Sequence, residues 1–359
     1  TLYNLIKANH LMKINKLILA ITVTLFGIQI GNAQKESVKV TAIGFYNLEN
    51  LFDTEDDPDI WDEEFTPDGS KAWTKDKYAE KLTNMAYVIS QIGTELTPNG
   101  VSILGISEIE NRKVVEDLLK EPTLAGRGYE IIHYDSPDFR GIDVGLIYNP
   151  KHFKVTKSTP IAVDISVGDN KRTTRDILHV EGLFDGEPLH IMVNHWPSRR
   201  GGEKKSAWKR NKAAKMCRTV IDSLEIIDPG VKVIVMGDLN DDPTSESVRS
   251  HLRAVSKKSD LRKNRFLFNP YEDIYRRGLG SNAYRDAWSL FDQLIITESL
   301  AKENNQGYYF HKGQVFNKKF LIQRSGQYKG YPFRTFSFDK YQGGYSDHFP
   351  SFIYLIKKV

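Results

Sequence analysis

One stretch of the sequence decides the fold, Val233-Ile-Val-Met-Gly-Asp-Leu-Asn-Asp-Asp-Pro243. Its first four residues are apolar without alternation, which predicts a strand of a layered sheet with both faces covered. Gly237 ends the strand, and Asp238 and Asn240 follow at its carboxyl end. Residues two apart in an extended segment point the same way, so this carboxylate and this amide face one spot. Sheet sites lie beyond strand ends, but Asp, Asn, Gly and Pro also form ordinary turns.

The other predicted strands decide between a site and a turn, because several of them also end in a polar residue. Asn47 follows the strand at residues 38–46, and Glu108 follows the strand at residues 101–107. An acid after an apolar strand is costly to bury without a partner or a cation, so Glu108 is the strongest candidate metal ligand. The strand ends supply eight candidate site residues, namely Asn47, Glu108, His195, Asp238, Asn240, Asp292, Asp347 and His348.

The chemical types in this set favour a hard metal ion. Oxygen donors outnumber imidazoles and no cysteine joins them, which suits Mg²⁺, Mn²⁺ or Ca²⁺ better than Zn²⁺. A serine nucleophile fits poorly, since the run Ser346-Asp-His348 lacks the Gly-x-Ser-x-Gly turn. A glycine-rich phosphate loop with Lys and Ser or Thr is also missing from the sequence.

Residues 12–33 have the pattern of a secretory signal peptide. Lys13 and Lys16 precede an apolar run at residues 17–30, and small residues precede Gln34. The run is short for a membrane span, so we expect no stable membrane anchor. The sequence therefore predicts a protein that is secreted or periplasmic.

Residues 38–357 are predicted to be one domain, because they show no repeat, linker or shift in composition. Residues 1–11 are a leader without an assigned role. The formal charge of +4 includes three lysines within residues 1–33, so the mature protein is almost neutral and overall charge is no argument for nucleic acid. The single cysteine, Cys217, is expected to be a small buried apolar residue in a monomer that has no internal disulfide.

Three further segments bear on function. Residues 53–68 form an acidic loop that could bind Ca²⁺, but its spacing is irregular and a solvated surface loop is favoured. Residues 199–215 form a basic loop and helix directly after His195, and residues 249–277 are a basic, aromatic stretch that we expect to cross the surface. The candidates for stacking on bases are Phe266, Phe268, Tyr271 and Tyr275, and these with Trp196 and Trp208 are the candidates for lipid contact.

Six short motifs in this order resemble the endonuclease/exonuclease/phosphatase (DNase I-like) superfamily, and most of all its secreted bacterial members. Each motif is weak alone, but together they span nearly all of residues 38–357. The matching pieces are Tyr46-Asn-Leu-Glu-Asn50, Ile106-Ser-Glu108, Val193-Asn-His195, Gly237-Asp-Leu-Asn240, Phe291-Asp292 and Ser346-Asp-His348.

The resemblance implies an α/β fold, a four-layer α/β sandwich of two packed mixed β-sheets flanked by helices. It implies that Glu108 is the principal Mg²⁺ ligand, assisted by Asn47 and Asp347. It also implies that Asp238 orients or deprotonates the attacking water and that Asn240 holds the phosphate or the nucleophile. The resemblance further implies that His195 and His348 contact the scissile phosphate and stabilise the pentacovalent state, and that Asp292 pairs with His348 and keeps it charged. It also implies that Asp143 supports His195 and that Arg175 contacts the phosphate.

The leading hypothesis is a secreted, metal-dependent phosphodiesterase that cleaves DNA or RNA. A phosphodiester is anionic, so a cation and charged donors are needed to neutralise the charge that grows in the transition state. The alternative is a phosphatase or sphingomyelinase-type member of the same superfamily that acts on a small phosphate or a lipid headgroup. A non-catalytic binding module is disfavoured, because every expected position is filled.

Overall fold

Two mixed β-sheets of six and seven strands form the centre of the fold. The predicted signal peptide, residues 12–33, lies outside the described residues apart from Met12, and residues 1–11 are described only in part. Within the described ranges, no helix is long and apolar enough to cross a membrane. The structure is a computed structural model, and it describes residues 2–3, 6–12, 37–169, 171–261, 265–303 and 307–359.

Seventeen strands are described within residues 38–358. In chain order they are β1 (Val38–Leu51), β2 (Ile103–Ile109), β3 (Glu130–His133), β4 (Asp143–Tyr148), β5 (Phe153–Ile161), β6 (Ile177–Phe184), β7 (Glu187–His195), β8 (Val233–Asp238), β9 (Ala254–Val255), β10 (Leu267–Phe268), β11 (Asn282–Tyr284), β12 (Ala287–Ser289), β13 (Asp292–Ile296), β14 (Tyr309–Val315), β15 (Phe336–Ser337), β16 (Lys340–Tyr341) and β17 (Ser351–Lys358).

The strand order defines both sheets. The six-stranded sheet has the order β14-β17-β1-β2-β4-β3, and the seven-stranded sheet has the order β5-β6-β7-β8-β13-β10-β9. Two short hairpins, β11-β12 and β15-β16, stand outside the sheets. The helices are α1 (Lys75–Gln91), α2 (Arg112–Lys120), α3 (Pro122–Ala125), α4 (Glu203–Ile227), α5 (Tyr271–Arg276) and α6 (Glu298–Ala301), with single turns of 3-10 helix at Glu63–Phe65, Lys258–Asp260 and Lys319–Leu321 and of π-helix at Ser247–His251.

Strand β8 is buried on both faces, as its continuous apolar run predicts. Ile234 and Met236 point into the core between the two sheets, whereas Val233 and Val235 pack on the outer side against α4. Cys217 lies on that apolar side of α4, buried as expected. Helices α1 and α2 cover the outer face of the other sheet in the same way. The fold is therefore the expected four-layer α/β sandwich.

The strand directions bring the ends of both sheets to one edge. β1 and β2 are parallel to each other, and so are β7 and β8, so their carboxyl ends meet there. β13 and β17 are antiparallel to β8 and β1, so their first residues reach the same edge. Residues that end one strand and residues that begin another are thus neighbours in space, although the sequence separates them widely.

The structure corrects three expectations about the elements. Residues 249–277 are no surface crossing, because β9, β10 and α5 belong to this segment and their apolar residues join the core. The sequence pattern predicts one strand over residues 288–296, but β13 begins at Asp292 and Trp288 belongs to the separate hairpin β11-β12. β1 continues past Asn47 to Leu51 through a shift in register.

Candidate active site

Asp238 lies at the centre of the site, because the sheet register places it between two other candidate residues. β7 is parallel to β8 and sets His195 beside Asp238, whereas β13 is antiparallel and sets Asp292 on the other side. Asp238 Oδ2 lies 3.7 Å from His195 Nε2 and 3.8 Å from His348 Nε2. The convergence predicted from the strand ends is therefore present.

Glu108 and Asn47 reach the site from the six-stranded sheet through irregularities in β1 and β2. The register shifts after Asn47 and after Ser107, and Glu108 has a φ of 57°. A bulge bends its strand and redirects a side chain. Glu108 Oε1 lies 3.8 Å from His195 Nε2, and Asn47 Nδ2 donates a hydrogen bond of 3.1 Å to Asp238 Oδ2. Both sheets therefore contribute side chains to one cluster.

His348 is held in place by Asp292. Its Nδ1 lies 2.6 Å from Asp292 Oδ2, which also accepts a hydrogen bond of 2.5 Å from Ser281 Oγ. The backbone N–H of His348 donates to Ser346 Oγ. Burial opposes the charged ring, but Asp292 and then Asp238 outweigh it and hold the pKa of His348 well above its ordinary value. His348 is therefore an imidazolium at neutral pH.

His195 has the opposite electrostatic environment. Its ring is buried, and Nδ1 has no hydrogen-bond partner among the described residues. Burial, followed by Arg175 and Arg140, lowers the pKa of His195 well below its ordinary value. The ring is therefore neutral at pH 7. The expected pairing of Asp292 with His348 is present, whereas Nδ1 of His195 has no carboxylate partner among the described residues.

Asn194 joins β7 to β8 directly behind the site. Its Nδ2 donates to the carbonyl of Met236 over 3.2 Å, and its Oδ1 accepts from Trp196 Nε1 over 2.9 Å. The backbone of Gly237 passes so close that a Cβ there would lie 2.2 Å from the Asn194 carbonyl oxygen. The glycine before the first site residue is thus required by this close approach of two strands.

Asn240 fixes the carboxylate of Asp238. The backbone N–H of Asn240 donates to Asp238 Oδ1 over 2.9 Å, and its side-chain Nδ2 donates to the carbonyl of Trp196 over 2.9 Å. Burial raises the pKa of Asp238 above its ordinary value, although the positive charge of His348 opposes this. Asp238 is thus a buried carboxylate with an increased affinity for a proton.

Behind the site lies a buried network that sequence reasoning missed. Glu49 Oε2 accepts a hydrogen bond of 2.7 Å from the backbone of Thr335, and Lys81 Nζ donates to Thr335 Oγ1 and to the carbonyl of Tyr345. Burial and then Asp347 raise the pKa of Glu49, while burial lowers the pKa of Lys81. Lys81 carries no sequence signal, because a lysine within a helix ordinarily faces solvent.

Asp347 connects the site to a neighbouring cavity. Its Oδ1 lies 4.0 Å from His348 Nε2, and its Oδ2 accepts a hydrogen bond of 3.1 Å from Arg334. Asn282 donates to the carbonyl of Asp347 over 2.9 Å. The cavity has a volume of about 480 Å³. Its lining residues are Ala283, Tyr284, Arg285, Asp286, Gln327, Tyr328, Tyr331, Arg334 and Phe338.

Asp143 does not support His195, so that expectation is wrong. Its Oδ2 lies 3.0 Å from His133 Nε2, and its Oδ1 accepts from the backbone N–H and the hydroxyl of Ser136. The acid therefore fixes the loop after β3. The sequence could not show this, because a shift in register decides which neighbour an acid at a strand start meets.

Arg175 is buried behind the site. One guanidinium nitrogen lies 3.0 Å from Asp138 Oδ2, and another donates to the carbonyl of Trp196 over 2.7 Å. Arg175 is only 6% exposed. Its positive charge still lowers the pKa of His195, after the effect of burial. Arg175 is therefore part of the electrostatic environment of the site, and its two terminal guanidinium nitrogens have partners within the protein, whereas Nε has none among the described residues.

The basic segment after His195 serves two purposes. Arg210 is fully buried and lies 2.8 Å from Asp241, while Arg199 pairs with Asp241 and Asp242, so both arginines hold the loop after β8. The segment nevertheless leaves a group of cationic side chains exposed. They are Arg200, Lys204, Lys205, Lys212 and Lys215.

The aromatic residues proposed for contact with bases or lipid are buried or half-buried rather than exposed at the surface. Phe268 and Tyr271 are buried in the core between the sheets, and Phe266 and Tyr275 pack against it. Trp196 is 1% exposed. Trp208 is half-buried, with the ammonium groups of two lysines over its ring. The exposed aromatic surface near the site belongs instead to the cavity beside Asp347.

The donor chemistry of the site fits a divalent cation. Glu108 Oε2 accepts a hydrogen bond from the Asn50 backbone, and no lysine or arginine of the described chain forms a salt bridge with this carboxylate. Several buried carboxylates cluster here, which is costly without a cation. Ligand atoms of Asp238, Asp292 and His348 also lie within 4.8 Å of one another, but the last two are already hydrogen-bonded together.

The chain belongs to the Endonuclease/Exonuclease/phosphatase family, whose model matches residues 42–357. It is therefore a hydrolase of that superfamily, whose members typically depend on a divalent metal. The family membership implied by the six sequence motifs is confirmed. No curated protein sequence matches the chain.

Solved structures of low sequence identity share the fold. An endonuclease/exonuclease/phosphatase family protein from Bacteroides thetaiotaomicron has 16% identity and a TM-score of 0.54, with 90% of this chain and 98% of that one covered. Truncated Caenorhabditis elegans TDP2 has 17% identity and a TM-score of 0.51, covering 88% and 97%. A Bacteroides thetaiotaomicron mannosyl-6-phosphatase has 16% identity and a TM-score of 0.51, covering 88% and 99%. These matches show the fold alone.

Proposed function

We propose that the protein is a secreted, Mg²⁺-dependent phosphodiesterase that hydrolyses nucleic acid. The observation that carries the proposal is the meeting of Glu108, His195 and His348 around Asp238, from four separate parts of the chain. An acid, a neutral imidazole and an imidazolium at one sheet edge match the needs of phosphoester hydrolysis. The proposal of secretion rests on the N-terminal sequence pattern, and sequencing of the exported protein from residue 34 onward would test it.

Glu108, with Asn47 and Asp347, would hold the cation. When bound, Mg²⁺ supplies charge neutralisation at the phosphate and lowers the pKa of a bound water. Oxygen ligands suit Mg²⁺, and the same donors accept Mn²⁺ or Ca²⁺. The side-chain oxygen Oδ1 of Asn47 accepts one hydrogen bond from the backbone N–H of Glu49 and has a second lone pair that could bind the cation.

Asp238 would orient and deprotonate the attacking water. The raised pKa of Asp238 brings the proton affinity of its carboxylate closer to that of a general base that works near neutral pH. Asn47 and Asn240 donate to its two oxygens and so fix the direction of the free lone pairs. Asn240 thereby positions the base, while its Nδ2 is hydrogen-bonded to the carbonyl of Trp196.

The two imidazoles divide the contact with the phosphate. His348 is charged and its Nδ1 is used by Asp292, so Nε2–H is left to donate to a phosphate oxygen or to the leaving oxygen. His195 is neutral and can donate from Nε2 without adding charge. Arg175 lies behind the site, where it is paired with Asp138. Its positive charge lowers the pKa of His195 and so favours the neutral ring.

A nucleic-acid substrate is supported by the surfaces on either side. The cavity beside Asp347 exposes aromatic faces and the guanidinium of Arg285, which suit stacking on bases and phosphate contact. The five exposed cations of residues 200–215 can track a phosphate backbone. We expect the enzyme to be a monomer whose substrate is DNA or RNA.

A second candidate is a phosphatase that acts on a small phosphate ester. The observation that favours it is the size and polarity of the same cavity, where Asp286, Gln327 and Arg334 line about 480 Å³ beside Asp347. A space of this size, with aromatic and hydrogen-bonding walls, fits one sugar ring. The lipid-headgroup version loses support, because the aromatic residues suggested for lipid contact are buried or half-buried.

One panel separates these functions. The full chain is incubated with supercoiled plasmid, single-stranded RNA, a hexose 6-phosphate and sphingomyelin, each with Mg²⁺ and with EDTA. We expect plasmid nicking or RNA cleavage that EDTA abolishes and that His195→Ala reduces by about 10²–10³-fold. His251→Ala, at a histidine outside the site, is the matched control. Cleavage of the hexose phosphate alone would assign the second function, and hydrolysis that persists in EDTA would contradict the metal requirement.

A further inference from the structure

A second group of metal-ligating side chains lies far from the active site, on the outer face of the seven-stranded sheet. In the antiparallel pair of β6 and β7, Glu181 is directly opposite His190, and His179 lies two residues along β6 on the same face. One ligand atom from each of the three side chains lies within 4.8 Å of the other two. The sheet register itself therefore assembles two imidazoles and a carboxylate.

The two imidazoles are already spaced for a shared ion. His179 Nε2 and His190 Nδ1 are 3.1 Å apart and share a hydrogen bond that a bound ion would replace, with the rings nearly parallel at 20° and their centroids separated by 5.3 Å. Zinc–nitrogen bonds of about 2.0–2.1 Å in a tetrahedral site place two ligand nitrogens roughly 3.3 Å apart. A small rotation of the side chains would therefore suffice to admit the ion.

The chemical state of the group also suits a metal. Burial lowers the pKa of His190, and burial and then His190 lower the pKa of His179 to about 4, so both rings are neutral at pH 7. Neutral imidazole is the ligand form. The side chain of Glu181 is 29% exposed, which leaves a path from solvent. The nearby charges are Lys157, whose Nζ lies 3.5 Å from Glu181, and Asp228, which acts on His190.

We propose that His179, Glu181 and His190 form a binding site for a transition-metal ion of the Zn²⁺ class, with water as the remaining ligand. Imidazole and carboxylate ligands at three protein positions suit Zn²⁺, Cu²⁺ or Ni²⁺ better than Mg²⁺. The ion would join β6 to β7. His190 and His195 are five residues apart on extended β7, about 16 Å, so the site is separate from the catalytic cluster.

Metal binding to the full chain tests this proposal independently of the proposed function. Zn²⁺ is titrated calorimetrically in excess Mg²⁺, which keeps the catalytic site filled, and thermal unfolding is followed with and without Zn²⁺. We expect one Zn²⁺ site and a higher melting temperature. His179→Gln and His190→Gln should each weaken Zn²⁺ binding by about tenfold or more and remove the thermal shift.

Matched variants make the outcome decisive. His251→Gln should retain Zn²⁺ binding, because His251 is not part of the proposed site. His251 lies 3.6 Å from Glu246, and this pair lacks a second imidazole. Glu181→Gln, at a partly exposed position, carries the test if a histidine variant fails to fold. Unchanged Zn²⁺ affinity in all three site variants would overturn the proposal. Loss of the site in His133→Gln instead would also overturn it, by assigning the ion to His133, Asp135 and Asp143.

Discussion

Asp292 and His348 form a hydrogen bond of 2.6 Å between Oδ2 and Nδ1, although 55 residues separate them in the chain. The bond joins the start of β13 to the loop before β17, so it links the two sheets at their shared edge. It also keeps a cationic ring 3.8 Å from Asp238 in a buried setting. The positive charge of His348 therefore depends first on this contact.

Asp292→Asn should shift the pH dependence of catalysis. The pKa of His348 is raised in the folded protein, so the imidazolium persists through neutral pH and is lost only as the pH rises past that raised value. Removing the anion lowers this pKa, so the alkaline limb of kcat/KM should move to lower pH. The rate should fall by about 10²-fold or more. Rates with bis(4-nitrophenyl) phosphate across pH 5–10 measure both effects.

The control for this prediction is Ser281→Ala, which removes the second hydrogen bond to Asp292 Oδ2 and keeps its charge. The alkaline limb should then move little. An equal shift in both variants would mean that His348 responds to geometry rather than to the anion.

Glu108→Gln should raise the Mg²⁺ concentration needed for half-maximal activity by about tenfold or more, because an amide is a weaker ligand for a hard cation than a carboxylate. Glu110→Gln is the matched control. The carboxylate of Glu110 accepts a hydrogen bond of 2.6 Å from the backbone N–H of Asp53. It lies near other acids that are outside the catalytic cluster. Kinetics as a function of Mg²⁺ concentration distinguish the two variants. Equal Mg²⁺ requirements in both would show that Glu108 is not a metal ligand.

Glu110→Gln should stabilise the protein at high pH. Burial and nearby acids raise the pKa of Glu110 to about 8, from an ordinary value near 4.5. Its contribution to stability is therefore complete below pH 4.5 and is lost as the pH rises through 8. At pH 9 the variant should be more stable by about 1–3 kcal/mol, with little difference at pH 4.5. Urea unfolding at both pH values tests this, and an equal difference at both would contradict it.

Asp143→Asn should affect stability rather than catalysis. The acid holds His133 and Ser136 in the loop after β3, so we expect a loss of about 1–3 kcal/mol in the free energy of unfolding. The kcat should stay within about twofold. Urea unfolding and kcat, measured beside His195→Ala, test the separation. A loss of kcat at full stability would return Asp143 to the site.

The sequence predicts the layers and the edge well, for a physical reason. Val233–Met236 is apolar without alternation because both of its faces are covered, and the polar residues that follow such strands can only lie at the sheet edge. Glu108, His195, Asp238 and His348 were located in this way. Residues fixed by local pattern and by strand direction are thus accessible to sequence reasoning.

The rest depended on partners that no pattern encodes. His195 and His348 are both histidines at the same edge, yet one is neutral and one charged because only His348 has a carboxylate on its ring. Lys81 lies in an ordinary helical sequence, and its burial follows from the loops that close over it. Phe268 and Tyr271 belong to a segment without clear period, and tertiary packing takes them into the core.

The cavity beside Asp347 is built largely from the hairpin β11-β12 and the loops around β15, whereas the groups that act on phosphate stand on or directly beside the sheet strands. If the proposed function holds, substitutions of Tyr284, Arg285 or Phe338 should change the substrate preference and leave the cluster around Asp238 intact. Such modularity makes the rim the natural target for evolving new specificities, and the strand edge the part that descendants would inherit unchanged.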